Sequence, residues 1–231
     1  TTTLFAGTIE SMYLEVPAIT EGTVSGTVKI VSESKYREMN TQEEQHLVIL
    51  TDSTSKTAKV VDLNKFKVGE TITLTEENTI WTSMTIDIGI DDAKLRHSNY
   101  HNKDVVITTS SSGDVRIHDY EDGETIWCTN LGTDASPHSI EMLPNGDVVI
   151  ACSGNDASTS TEINGKILYY KVGTEGWSNT STISLKSAHG VVWDEENEVI
   201  WALGMDGLTA YQVSEDGLLT QKTGMGVELT A

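Results

Sequence analysis

The sequence has few basic residues, and this shortage restricts the partners that the protein can bind. It contains 15 lysine and arginine residues against 35 aspartate and glutamate residues, for a formal net charge of −20. A field of that sign repels phosphate backbones and anionic lipid headgroups. The composition therefore argues against nucleic acid and membrane surfaces as partners, and the dispersed acidic residues indicate a solvated surface.

Long apolar runs and cysteines are also scarce. No apolar stretch approaches the roughly 18 residues that a transmembrane helix requires, so no membrane insertion is expected. The two cysteines, Cys128 and Cys152, form neither a disulfide framework nor a metal-binding spacing, and both are expected to be buried as small apolar residues. An acidic chain that is rich in Ser, Thr and Gly favours an extracellular or periplasmic location.

Helical periodicity is nearly absent, which argues against a helical fold. Apolar residues instead occur in runs of about four to eight, rich in Val, Ile, Thr, Tyr and Trp and separated by Gly, Asn and Asp. Three segments of this kind, which begin at Ala93, His138 and His189, align with one another. Their period of about 40 to 50 residues is that of a β-propeller blade. The sequence therefore predicts an all-β protein, a β-propeller of four-stranded antiparallel blades.

Each repeat contains four short strands, here called a to d in chain order. The b strands are predicted at 104–109, 147–152 and 198–203, and Pro144-Asn145-Gly146 is predicted to form a tight a–b hairpin. Upstream, 47–52, 58–63 and 79–81 are predicted as the b, c and d strands of a blade without an a strand. Tryptophans are expected to pack between blades rather than to stack on a ligand. They are Trp81, Trp127, Trp193 and Trp201.

The repeats account for fewer than four complete blades, which is too few for an ordinary closed ring. We therefore expect an incomplete ring, a fragment whose further blades follow the C-terminus. The expected domains are the blades at 46–231 and a short N-terminal β segment at 1–45, which does not fit the repeat. That segment is interpreted either as the end of a sandwich domain of jelly-roll or laminin-G type, or as an extra strand pair on the propeller.

The starts of successive a strands provide the main candidates for a functional site. In a propeller these strands line the channel, and the repeat alignment places Lys94, His138 and His189 at equivalent positions. They are therefore predicted to converge at one mouth of the channel as catalytic residues. Imidazole serves as a general acid or base or ligates a divalent metal, so His138 and His189 are also the candidate metal ligands. The alternative is that these side chains are structural and only hydrogen-bond to neighbouring loops.

Five further residues near this mouth are predicted to bind ligand. Arg96 is expected to line the channel one layer deeper than Lys94, and Glu141 to face away from His138. Two others lie in the long b–c loop on the same face, where their oxygens could hold a hard cation such as calcium. The five are Asp92, Arg96, Glu141, Asn155 and Asp156.

The string SPHSIEMLPNGDVVIA at 136–151, together with Asp92-Ala93-Lys94, Ser187-Ala188-His189 and the Thr-Ile-Trp strands, resembles an uncharacterised family of bacterial secreted β-propellers. The likeness covers roughly 47–231 and implies that further blades follow. A more distant likeness to arylsulfotransferase propellers is carried by His138 and the turn at 143–146. Propeller-type polysaccharide lyases, which also place histidines at a channel mouth, are similar at the level of fold.

These features predict an extracellular bacterial propeller that binds or processes a glycan at the channel mouth. In an enzymatic version, one histidine acts as general base or metal ligand while Lys94 holds an anionic saccharide, in chemistry like that of polysaccharide lyases or sulfotransferases. The cofactor is undetermined, and a divalent metal is the candidate. The alternative is a non-catalytic binding or scaffolding propeller with structural histidines.

Overall fold

A computed structural model describes residues 45–229, apart from 53, 68, 70, 72, 84–88 and 155–163. The predicted β segment at 1–45, except for its last residue, and the candidate ligands Asn155 and Asp156 lie outside the described residues. The described part forms fifteen strands and one short 3-10 helix, Leu63–Lys65. The strands are β1 (Leu47–Asp52), β2 (Thr57–Asp62), β3 (Thr79–Thr82), β4 (Asp92–Ser98), β5 (Lys103–Thr109), β6 (Asp114–Asp119), β7 (Thr125–Asn130), β8 (Pro137–Met142), β9 (Val148–Cys152), β10 (Lys166–Gly173), β11 (Gly176–Ser184), β12 (Gly190–Asp194), β13 (Val199–Gly204), β14 (Gly207–Val213) and β15 (Leu219–Glu228).

The strands form four antiparallel sheets in which each strand pairs with its neighbours in the chain. The first sheet has the order β1-β2-β3, and the other three have the orders β4-β5-β6-β7, β8-β9-β10-β11 and β12-β13-β14-β15. These are the predicted blades, with β4, β8 and β12 as the a strands. The predicted propeller fold is confirmed, whereas the incompleteness of the ring stays a prediction.

Residues of the b strands alternate between the two faces of each sheet, and in the second and third blades both faces pack against a neighbouring blade. This explains why the b strands of these blades, β5 and β9, are apolar on both faces. In β5, Val105 and Ile107 pack toward the third blade, while Val106 packs toward the first. Each such side chain is fully buried, which stabilises the fold by roughly 1.5–3 kcal/mol. Trp81 and Trp193 pack between blades as predicted, and Trp201 instead lies beside the mouth described below.

The predicted a–b hairpin at Pro144-Asn145-Gly146 is present and depends on its glycine. Gly146 has a φ of +90°, and a Cβ atom there would lie 2.7 Å from the Cβ of Tyr100 in the preceding blade. Any larger residue would therefore be strained in its backbone and would clash with the adjacent blade.

The two cysteines are free, and only one of them is buried. Cys152 lies on β9 in the core, as expected. Cys128 is exposed, so the expectation of burial was wrong for this residue. The reason is its place on β7, the outermost strand of its blade, where one face of the strand meets solvent. Within the residues that the structure describes, no helix has the length and apolar character needed to span a bilayer.

Candidate functional site

The a strands β4, β8 and β12 lie side by side, and their first residues meet around an open concavity of about 390 Å³. We call it the mouth concavity. Three charged side chains, two histidines and several apolar side chains from the fourth blade line it. The principal members are Asp91, Asp92, Lys94, His138, His189 and Trp201.

His138 and His189 stack on each other across two blades. Their ring centroids are 4.5 Å apart, and the ring planes differ by 12°. Within the pair, His138 is half-buried, while His189 is exposed. The pairing register of β8 with β9 skips His138, which forms a β-bulge. Because a bulge turns the extra residue out of the regular alternation, His138 can face the mouth.

The turns before the two histidines share one local geometry. Ser136 and Ser187, two residues before the respective histidine, have φ values of +44° and +48°. Such left-handed backbone is uncommon for serine. Each serine hydroxyl lies near the ring of its histidine, at 3.3 Å for Ser136 and 3.4 Å for Ser187. The repeated Ser-X-His sequence thus corresponds to a repeated loop that presents an imidazole to the mouth.

Burial lowers the pKa of His138, and the adjacent His189 lowers it further, while the Asp91 carboxylate opposes both effects. A histidine with a pKa below its ordinary value is neutral at pH 7. His138 therefore presents ring nitrogens that can accept or donate hydrogen bonds, rather than a positive charge.

The pair does not form a metal site with the other described residues. A metal ion lies in the plane of each imidazole that binds it, and two nearly parallel planes do not meet close to the rings. Among the residues that the structure describes, no group of three His, Cys, Asp or Glu side chains is placed to hold a metal ion. The geometry thus gives no support to His138 and His189 as joint metal ligands.

Lys94 reaches from β4 to both following blades and is held there by the protein. Its Nζ donates to the carbonyl oxygens of Ile140 at 2.5 Å and Val191 at 2.9 Å, and to Oγ of Ser139 at 3.1 Å. The Asp92 carboxylate lies 3.2 Å away. An ammonium group has three N–H donors, so these three acceptors use all of them. Lys94 lines the concavity, but its donors are not available to a ligand.

Asp92 joins the same set of contacts. Its Oδ2 accepts hydrogen bonds from Oγ of Ser139 at 2.9 Å and from the backbone N–H of Ile140 at 3.1 Å. The Ser139 hydroxyl is also within 3.3 Å of the Val191 backbone N–H. We call Asp92, Lys94 and Ser139 the central network. It links the a strands of three blades and lines the same concavity as the histidine pair.

Arg96 and Glu141 pair with each other away from the mouth concavity. Nε and Nη2 of Arg96 donate to the two carboxylate oxygens of Glu141 at 2.5 and 2.8 Å. The Glu141 side chain is only 1% exposed. A bidentate pair of this kind fixes both groups. The structure therefore assigns these two predicted ligand-binding residues to a link between the second and third blades.

Asp91 occupies the position that the repeat alignment gave to Lys94. Asp91 and His189 each stand one residue before their a strand, and each follows a buried apolar residue. The backbone N–H of Asp91 donates to the carbonyl oxygen of Thr109 at 2.8 Å, and that of His189 donates to the carbonyl oxygen of Leu203 at 2.8 Å. In each blade the acceptor residue is the b-strand residue that pairs with the first residue of the a strand. The alignment of Lys94 with the histidines was therefore wrong. The hydrogen-bond register, which cannot be read from the sequence, identifies Asp91 as the equivalent of His189.

Residues 94–213 match a family described as "Family of unknown function (DUF6528)". No curated protein matches the sequence. Several solved structures share the fold at low identity. A putative 6-phosphogluconolactonase from Bacteroides uniformis ATCC 8492 is 15% identical, with a TM-score of 0.55 over 81% of this chain and 53% of that one. A second, from Bacteroides fragilis NCTC 9343, is 13% identical, with a TM-score of 0.53 over 82% and 57%.

A chain of the Mitotic Checkpoint Complex is 12% identical, with a TM-score of 0.55 over 80% of this chain and 50% of that one. The present chain thus spans about half the length of the solved structures that it resembles. At these identities the likeness shows the propeller fold alone, because a shared fold does not transfer a function.

Proposed function

The chain belongs to this family of unknown function, and we propose that it binds a saccharide in the mouth concavity, with His138 and His189 as the main contact residues. The observation that carries the proposal is the stacked histidine pair at an open concavity. Among the described residues, no partner contacts Nδ1 of His138 or Nε2 of His189, so both atoms are available to a ligand.

The concavity offers the mixture of surfaces that a sugar ring requires. Saccharides present hydroxyl groups at their edges and C–H groups on their faces, and binding sites combine apolar side chains with a few placed polar groups. Here Val192, Trp201 and Leu203 supply the apolar part, and the imidazole nitrogens supply the polar part. Val192 and Leu203 are exposed, at 47% and 40%, so they are accessible to a ligand.

The charges of the site argue against an anionic saccharide. Lys94, which was predicted to hold an anionic group, donates all three of its N–H groups to the protein. The other charged side chains of the concavity are the carboxylates of Asp91 and Asp92. The ligand class that fits is therefore an uncharged or cationic saccharide.

Binding is favoured over processing for the same reason. A lyase acting on an acidic sugar must neutralise the sugar carboxylate, and no free cation lines the described part of the concavity. His138 is nevertheless neutral at pH 7 and so has the protonation state of a general base. The composition supports an extracellular or periplasmic site of action for this function.

Calorimetric titration with tetrasaccharides that are uncharged, amino-bearing or uronic tests the proposal. We expect the wild type to bind at least one member of the first two groups. Replacing both histidines, His138→Ala with His189→Ala, should weaken that binding at least tenfold. The control is His97→Ala, because His97 is an exposed histidine of β4 that pairs with Asp104 outside the concavity.

Unchanged affinity in the double variant would refute the proposal. Loss of the folded state in that variant would favour the alternative of structural histidines, and His138→Gln with His189→Gln then decides between packing and ligand contact. Product analysis of the same mixtures separates binding from processing, since a binding protein returns its saccharide intact.

A further inference from the structure

We propose that Asp91 is a specificity-determining residue of the mouth concavity, and that it makes the site prefer saccharides that carry a free ammonium group. This inference rests on the proposed saccharide-binding function and names the ligand class within it. It depends on three observations: the position of Asp91 in the fold, the state of its neighbours, and its exposure.

Asp91 holds the place in the second blade that His189 holds in the fourth. Both residues precede the a strand by one position, and both donate their backbone N–H to the same position of the b strand. His138, on the bulge at the start of β8, lies between them in blade order. Three successive blades therefore each present one polar side chain to the concavity, and Asp91 supplies the carboxylate among them.

The other charges at the concavity are neutralised within the protein. The Asp92 carboxylate accepts hydrogen bonds from Ser139 and Ile140 and faces the Lys94 ammonium at 3.2 Å. Lys94 is saturated by its own acceptors. Asp91 is exposed, and its Oδ2 accepts one hydrogen bond from the Ser111 backbone N–H. In the part of the concavity that the structure describes, Asp91 thus carries the charge that remains for a ligand.

The formal net charge of −20 acts in the same direction. An acidic protein raises the local concentration of cations and lowers that of anions, and a concave site concentrates the effect. An ammonium group on a sugar would gain both this long-range attraction and the direct contact with Asp91. Exposed ion pairs contribute about 0.2–1 kcal/mol, which corresponds to a preference of about 1.4-fold to fivefold over the uncharged analogue.

The test compares two ligands that differ in this group alone. The glucosamine tetramer bears ammonium groups, and the N-acetylglucosamine tetramer has the same chain without the charge. We expect the wild type to bind the glucosamine tetramer about 1.4-fold to fivefold more tightly in low salt, with the preference lost in high salt because of screening. In Asp91→Asn the preference should shrink, because only the long-range attraction of the remaining net charge is left. Asparagine retains an oxygen that can accept the hydrogen bond from Ser111.

Asp216→Asn is the matched control. Asp216 is an exposed aspartate between β14 and β15, outside the concavity, so its replacement removes one negative charge without touching the site. It should keep the preference. Equal binding of the two tetramers by the wild type, or a preference that Asp91→Asn leaves unchanged, would refute the inference while leaving saccharide binding intact. If the wild type bound neither the uncharged nor the amino-bearing tetrasaccharides of the panel described above, both the proposed function and this inference would be wrong.

Discussion

The histidine pair and the central network come from the same three blades, yet their polar atoms are used in opposite ways. In the network, the polar atoms of Asp92, Lys94 and Ser139 bond to one another and to the backbone of the neighbouring a strands. In the pair, the ring nitrogens of His138 and His189 hydrogen-bond only to nearby serines among the described residues, and the two rings stack on each other. One region is saturated by the protein, and the other retains hydrogen-bonding capacity.

This difference separates the side chains that hold the blades together from those that can meet a ligand. Polar groups that are buried and fully paired stabilise a single arrangement, since leaving any of them without a partner is costly. Polar groups at an open concavity contribute little to folding and are free to exchange water for a ligand. Substitutions in the central network should therefore lower the free energy of unfolding more than substitutions in the histidine pair.

The largest effect is expected from Lys94→Met. Methionine fills a similar volume but leaves the carbonyl oxygens of Ile140 and Val191 without their donor and the Asp92 carboxylate without its counter-charge. We expect the free energy of unfolding to fall by about 3 kcal/mol, measured by urea denaturation. Lys186→Met, at an exposed lysine, should change it by less than about 0.5 kcal/mol. Equal effects in the two variants would show that the network does not link the blades.

His118, which is buried between the first and second blades, should make the protein less stable in acid. Burial is the main cause that lowers its pKa to about 4, and Arg116 adds to the effect. The unfolded chain, in which the pKa is near 6.5, then binds the proton more readily, so stability is lost as the pH falls from about 6.5 toward 4. The loss should reach about 2 kcal/mol near pH 4.5. Urea denaturation across this range should show a shallower slope for His118→Asn, and an identical slope would contradict the assignment.

At the mouth, the double variant His138→Ala with His189→Ala should lower the free energy of unfolding by less than about 1 kcal/mol, because His189 is exposed and His138 only half-buried. The same urea titration as for Lys94→Met provides the comparison. A loss as large as that of the lysine variant would mean that the pair belongs to the structural framework.

The smallest effect concerns the turn before His189. Serine at a φ of +48° is strained, and glycine adopts this conformation freely. Ser187→Gly should therefore raise the thermal midpoint by about 2 °C in calorimetry. Ser184→Gly, at an exposed position of β11, should lower it, because glycine weakens a strand. A decrease for both would indicate that the Ser187 side chain contributes more than its backbone costs.

The fold could be predicted from the sequence because the pattern of burial along the strands appears directly as a pattern of apolar residues. The b strands bury both faces, so β5, β9 and β13 appear as apolar runs at a regular spacing. The convergence of His138 and His189 followed from the same repeat. Asp91 could not be found in this way, because the alignment placed Lys94 three residues out of register with His189, and only the pairing of β4 with β5 and of β12 with β13 reveals this. The saturation of Lys94 was also hidden, since its acceptors include backbone carbonyls of two other blades.

The contrast between the two cysteines makes the protein suited to site-specific labelling without mutation. Burial raises the pKa of the Cys152 thiol to about 12, so it does not form the reactive thiolate at neutral pH. Cys128 is exposed on β7, and the chain contains no third cysteine. A maleimide fluorophore or nitroxide would therefore attach at Cys128 alone. Its signal would report the tumbling and the neighbours of the second blade in solution.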